Sequence, residues 1–116
     1  MRLSLSLVVV LAACGVDVQI DQQTQDICAT SFLDYQNFGA PFTANWCRGC
    51  HSAALPATMR QKAPATVNFD SVDEVRSWST MIVAKAGGDP PTMPPAGGPS
   101  VEERAMLVEW VGCGAR

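Results

Sequence analysis

The chain has 116 residues, enough for one small domain. Its 8 Lys and Arg against 11 Asp and Glu give a formal charge of −3. The basic residues form no cluster, which excludes the electrostatic footprint of a nucleic-acid-binding protein. A domain this short buries a limited core and leans on staples such as disulfides, metals or cofactors.

In chain order, residues 1–13 read as a leader. Arg2 is their only charge, Leu3 to Leu11 is apolar apart from its serines, and Leu11-Ala12-Ala13-Cys14 closes the stretch. A basic start, a short apolar centre and small residues before a cut make a secretory signal peptide. The run is too short to cross a bilayer, which takes about 20 apolar residues. The Leu-Ala-Ala-Cys ending resembles the lipobox of bacterial lipoproteins. That resemblance implies removal of residues 1–13 and lipid on Cys14 as the new N-terminus, hence a periplasmic lipoprotein held to a membrane by its anchor. Gly15 stands where an aspartate would resemble an inner-membrane retention signal, so the outer membrane is favoured. An ordinary secretory signal cut nearby is the competing reading; both imply export. Removing Arg2 makes the mature chain one unit more acidic.

Residues 14–25, rich in Gln, Asp and Thr, read as a lipidated tether of at most roughly 40 Å if fully extended. A weak strand from Val16 to Ile20 competes with that reading. Residues 26–116 then form the domain. Phe38, Phe42 and Trp46 recur every fourth position and Pro41 suits a first turn, which predicts a short helix running into Cys47. Ser52 to Asn68 reads as a long loop. Ser71 followed by Glu74 is a capping box, and Val72, Val75, Ile82 and Ala86 give a helical face that stops at Gly87-Gly88. Gly87 to Pro99 is too rich in Pro and Gly for regular structure. Ser100 and Glu103 repeat the capping box, with Val101, Ala105, Val108 and Val111 along one face and Gly112 at the end. No alternating strand pattern or internal repeat occurs. The expected fold class is all-α with long loops.

Cys47-Arg48-Gly49-Cys50-His51 matches the C-x-x-C-H signature of covalent haem attachment. Two thiols one helical turn apart can each add across a haem vinyl group, forming thioethers, and the adjacent histidine supplies an imidazole nitrogen to the iron. The chain has one histidine, so bis-histidine ligation within it is excluded. Met93 is the candidate for the second axial position: it lies in Pro90-Pro91-Thr92-Met93-Pro94-Pro95, where prolines stiffen the backbone, and thioether sulfur favours ferrous iron. Met59, Met81 and Met106 are alternatives, the last two in predicted helices. Arg60 and Lys62 follow the motif, either as contacts for haem propionates or as solvated charges.

Two rival uses of the motif stand beside this one. Trp46-Cys47-Arg48-Gly49-Cys50 also looks like the redox pair of thioredoxin-like disulfide oxidoreductases, but those folds place it after a strand. A zinc site would need further ligands, and Cys28 and Cys113 are isolated in sequence. Five cysteines is an odd number. With Cys14 assigned to lipid and Cys47 and Cys50 to haem, Cys28 and Cys113 remain for a disulfide.

The order of helix, C-x-x-C-H, long loop, helix, Met-Pro-Pro and final helix resembles class I monohaem cytochromes c from about Phe38 to Trp110. Glu102-Glu103-Arg104 and Leu107-Val108-Glu109-Trp110 are close to that family's C-terminal pattern. The resemblance implies a small cytochrome c-like helical fold wrapped around one covalent haem c, with Trp110 as the late aromatic packed near it. It also implies electron transfer with redox partner proteins rather than catalysis. The Cys28 and Cys113 pair and the lipid tether depart from the general family pattern. The main functional rival is a haem-based sensor or binding module in which a small ligand displaces Met93.

Overall fold

The computed structural model describes residues 20–116. The expected leader at 1–13, the lipidated Cys14 and all but the last residue of the competing strand lie outside these residues. The described chain is all-α, with five α-helices, one π-helical turn and one 3-10 turn, and no strand among the described residues.

Helix α1 spans Ile20–Thr30. Composition predicted an irregular tether through Gln25, yet residues 20–25 are helical. Nothing in IDQQTQDICAT supplies an apolar stripe, so the anchor is long-range: Cys28 is disulfide-bonded to Cys113, 85 residues away, with Cα atoms 5.3 Å apart. In the chain-entropy account, closing a loop of that length stabilises the fold by roughly 4 kcal/mol.

A π-helical turn at Tyr35–Gly39 leads into α2, Ala40–Trp46. Asp34 and Asn37 cap this turn reciprocally, each side chain accepting the other's backbone N–H. Pro41 falls in the first turn of α2, as its fixed φ suits. The predicted helix from Phe38 is therefore present from Ala40, with the wider turn ahead of it.

Helices α3 (Val72–Ser77) and α4 (Ser79–Ala86) replace the single helix predicted after Ser71. The capping box is present, Ser71 accepting from the Glu74 amide and Glu74 from that of Ser71. The break falls at Trp78, whose backbone (φ −107°, ψ 11°) leaves the helical range. Val75 is in the closed core, whereas Trp78 and Ile82 line the cavity described below. One straight helix would hold these side chains on a single stripe.

Helix α5 spans Val101–Gly112 and carries the second predicted capping box, Ser100 with Glu103. Its buried face matches the predicted one only in its later half, at Val108 and Val111. Val101 is 80 % exposed and Ala105 is exposed, while Leu107, Trp110 and Val111 are buried. The largest side chain sets the face: Trp110 is fully buried, edge-on to Phe38 at 5.9 Å and stacked with Tyr35 at 6.4 Å. Gly39 permits that approach, since a Cβ there would lie 2.2 Å from Trp110 Cζ2. The Trp110 indole N–H donates to the Arg116 carbonyl at 3.2 Å. Arg76 of α3 donates to the carbonyls of Gly114 and Ala115, fastening the end of the described chain to the core.

Candidate functional site

The Cys47–His51 segment prolongs α2 by a turn. The Cys47 amide donates to Thr43, and the Cys50 and His51 amides both donate to the Cys47 carbonyl at 3.1 and 2.9 Å. This winding sets the two cysteines three residues apart on a helical turn. Neither is in a disulfide. Burial pushes the Cys47 thiol up to about 12, so it is a neutral thiol in the folded chain. That is the reverse of the stabilised thiolate of a disulfide oxidoreductase. No strand precedes the motif among the described residues.

Both sulfur-bearing residues and His51 line a single cavity of about 470 Å³, within the range of small-molecule and cofactor sites. α2 contributes Phe42 and Trp46; the loop after the motif contributes Pro64, Val67 and Phe69; α4 contributes Met81, Ile82 and Lys85. Met93, Pro94 and Pro95 close one side and Leu107 of α5 another. The lining is nearly all apolar, with Lys85 as its cationic side chain.

His51 is fixed within this wall. Its ring lies 5.1 Å from that of Phe69, and its Nδ1 is 3.1 Å from the Val67 carbonyl. A carbonyl can only accept, so Nδ1 is the donor here, which leaves Nε2 of the neutral ring as the nitrogen open to a metal. Outside the motif, Asp70 accepts from Arg48 Nε at 3.1 Å and from the Ala53 amide at 2.7 Å, strapping the residues that flank His51. The Ser52 hydroxyl, the Ala53 amide and the Arg48 guanidinium hold the Asp70 carboxyl below its ordinary range.

Met93 is held through its backbone. Its amide and that of Thr92 donate to the Lys85 carbonyl at 3.0 and 2.8 Å, and Arg104 Nη1 donates to the Met93 carbonyl at 2.8 Å. The same guanidinium donates to Ala86 and Pro99, so α5 grips both ends of the Gly87 to Pro99 loop. That loop has no regular structure, as predicted. Its far end leans on α2: at Gly98 (φ +135°) a Cβ would meet Trp46 Cζ3 at 2.3 Å.

The structure thus brings Cys47, Cys50, His51 and Met93 to one cavity. Of the alternative methionines, Met81 also lines it, whereas Met59 and Met106 do not. Cys28 and Cys113 are paired with each other, so neither is free for a zinc site, and no cluster of three or more His, Cys, Asp or Glu suited to a metal occurs among the described residues. Trp110 is not among the residues that line the cavity; α5 borders it through Leu107, which belongs to the same core cluster as Trp110. Arg60 and Lys62 do not line it either. Arg60 is buried on loop carbonyls rather than solvated, and Lys62 is exposed. The grips by Asp70, Arg76 and Arg104 escaped sequence reading because guanidinium and carboxylate contacts to distant backbone leave no local pattern.

No protein-family model, curated protein or solved structure matches this chain. No helix among the described residues is long and apolar enough to cross a membrane.

Proposed function

We propose that this chain is an exported monohaem c-type electron carrier with a cytochrome c-like fold, tethered to a membrane through lipid on Cys14. One observation carries the reading. Two unbonded thiols a turn apart, an imidazole with its Nδ1 already committed, and a methionine in a proline-stiffened loop all border one apolar cavity.

These residues fit the group. Cys47 and Cys50 would hold it by thioethers, and His51 Nε2 and the Met93 sulfur would bind its iron. When bound, haem supplies a one-electron ferric–ferrous couple. The chain's own contribution is to fix the ligands and exclude water. The Val67 carbonyl sets the tautomer and aim of His51, Arg104 and the Lys85 carbonyl hold the Met93 backbone, and Phe42, Phe69, Ile82 and Leu107 keep the surroundings dry. A dry site and a thioether ligand both favour the ferrous state. Two protein ligands to the iron would suit a carrier exchanging electrons with redox partner proteins.

A second reading draws on Met93 itself, which is 39 % exposed at the cavity's edge. A methionine so placed is displaceable, and the same chain would then bind a small ligand at the iron. Spectra of the reduced protein with and without carbon monoxide separate the two: indifference supports the carrier, rapid binding the ligand-binding module.

The test of haem itself is the mass and visible spectrum of protein matured in a host that attaches haem c. The expected result is the mass of the polypeptide plus one iron porphyrin, retained after denaturation. A coloured group that extraction removes, or a mass with no tetrapyrrole, would falsify the reading.

A further inference from the structure

Arg60 carries a charge that the proposed site leaves unused. It is 4 % exposed and belongs to neither of the ion pairs found among the described residues, Arg48 with Asp70 and Arg76 with Asp73. A guanidinium does not give up its proton in a protein, and burying one without an anion is costly. Here the compensation comes from dipoles. Nε donates to Ala63, Nη1 to Ser52, and Nη2 to Pro64 and Val67, all through backbone carbonyls. The loop accepts backbone strain to arrange this: Gln61 and Lys62, directly after Arg60, take φ of 50° and 71°, in the left-handed region that non-glycine residues avoid.

The Val67 carbonyl is shared. It accepts from Arg60 Nη2 at 2.9 Å and is the same oxygen that faces His51 Nδ1 at 3.1 Å. Pro64 and Val67 are part of the cavity wall and Arg60 is not. A fixed positive charge therefore lies one carbonyl oxygen, and two hydrogen bonds, behind the histidine, screened from water by the loop that wraps it.

We infer that Arg60 is a positioning residue for His51 that also raises the reduction potential of the bound group. This deepens the haem reading and rests on it. Two effects act in one direction. An oxygen already polarised by a guanidinium draws less on the Nδ1 proton, so the imidazole donates less electron density through Nε2 and ferric iron is less favoured. The buried charge also repels ferric iron, which carries one more positive charge than ferrous, and does so through a medium that screens poorly. The couple is one electron at iron, exchanged with an electrode or a partner protein. No bond is made or broken, and Arg60 keeps its proton in both states.

The test is potentiometric titration of the haem-loaded protein and of two variants. Arg60→Gln keeps donors but removes the charge, and its potential should fall by 59 mV or more, a tenfold change in the ferric to ferrous ratio. Arg60→Lys keeps the charge with fewer donors and should recover at least half of that fall, even with a lower melting temperature. If Arg60→Gln has the parent's potential, or Arg60→Lys falls as far as Arg60→Gln, the inference is overturned. Should Arg60→Gln not accumulate, Arg60→Lys decides through the His51 Nδ1 proton. With fewer donors pinning Pro64 and Val67 the loop opens more often, so exchange of that proton with solvent should quicken at least tenfold, and an unchanged rate overturns the inference. A parent protein without haem overturns both the ligand reading and this inference; a loaded parent with an indifferent Arg60→Gln overturns this inference alone.

Discussion

The one apolar core finishes differently at its two ends, one closed and one facing the cavity. At one end, Trp110, Phe38, Leu33, Val75 and Val111 close on one another, with the Cys28–Cys113 bond and the Arg76 contacts fastening the edge. At the other, Phe42, Phe69, Ile82 and Leu107 meet a cavity of about 470 Å³, and Met81 and Met93 stand 47 % and 39 % exposed around it. Apolar surface that a chain leaves open, beside residues whose hydrogen bonding is already arranged, marks a place shaped for an occupant. The closed side packs without any added group, and the open side is where the proposed haem would sit.

The sharpest way to break this contrast is at Trp110. Trp110→Ala should cost about 3 to 5 kcal/mol, a large share of a small domain's total, measured by denaturant unfolding of the loaded protein. A loss under about 1 kcal/mol would mean that the closed end is not what holds the fold. Next in size is the disulfide: Cys28→Ser combined with Cys113→Ser should cost about 2 to 4 kcal/mol and leave the visible spectrum unaltered. A changed spectrum would show that the two ends are coupled. At the open end the order of effects reverses. Met93→Ala, at a partly exposed position, should change stability by no more than about 1 kcal/mol, yet lower the potential and admit carbon monoxide. Met81→Ala should do neither, and the opposite outcome moves the axial ligand to α4.

The smallest effect is that of Asp70. Its carboxyl titrates below its unfolded value, so the folded state favours the charged form. The stabilisation is complete above the unfolded pKa, about 3.9, and is lost as pH falls through the folded value. The melting temperatures of the parent and of Asp70→Asn should therefore differ by a constant amount above about pH 5 and converge in more acidic solution. A gap that persists there assigns the effect to something other than the carboxylate's charge.

What the sequence made legible follows the range of the interaction. The two Ser–Glu capping boxes, the Pro41 first turn and the Gly87 stop are local and appear as expected. The convergence of Cys47, Cys50, His51 and Met93 on one cavity was readable because each lies in a short pattern with its own chemistry, and the Cys28–Cys113 pair because the other three cysteines were given other expected uses. The rest depends on distant partners. α1 has no apolar stripe and is tied through Cys28, so composition alone made it a tether. The face of α5 follows Trp110 and Gly39, two residues 71 positions apart in sequence that only the fold brings together. Arg60 read equally as a propionate contact or a solvated charge, and Arg104 only as part of a C-terminal pattern, until the carbonyls they grip are known.

The Cys28–Cys113 bond has a topological consequence. Every described residue that lines the cavity, from Phe42 to Leu107, lies within the covalent ring it closes. A protease that cuts once in either long loop, where exposed backbone makes such cuts easiest, opens the ring without splitting the molecule. His51 and Met93 would stay on one particle, and only a second cut inside the ring, or a reductant, could release a fragment.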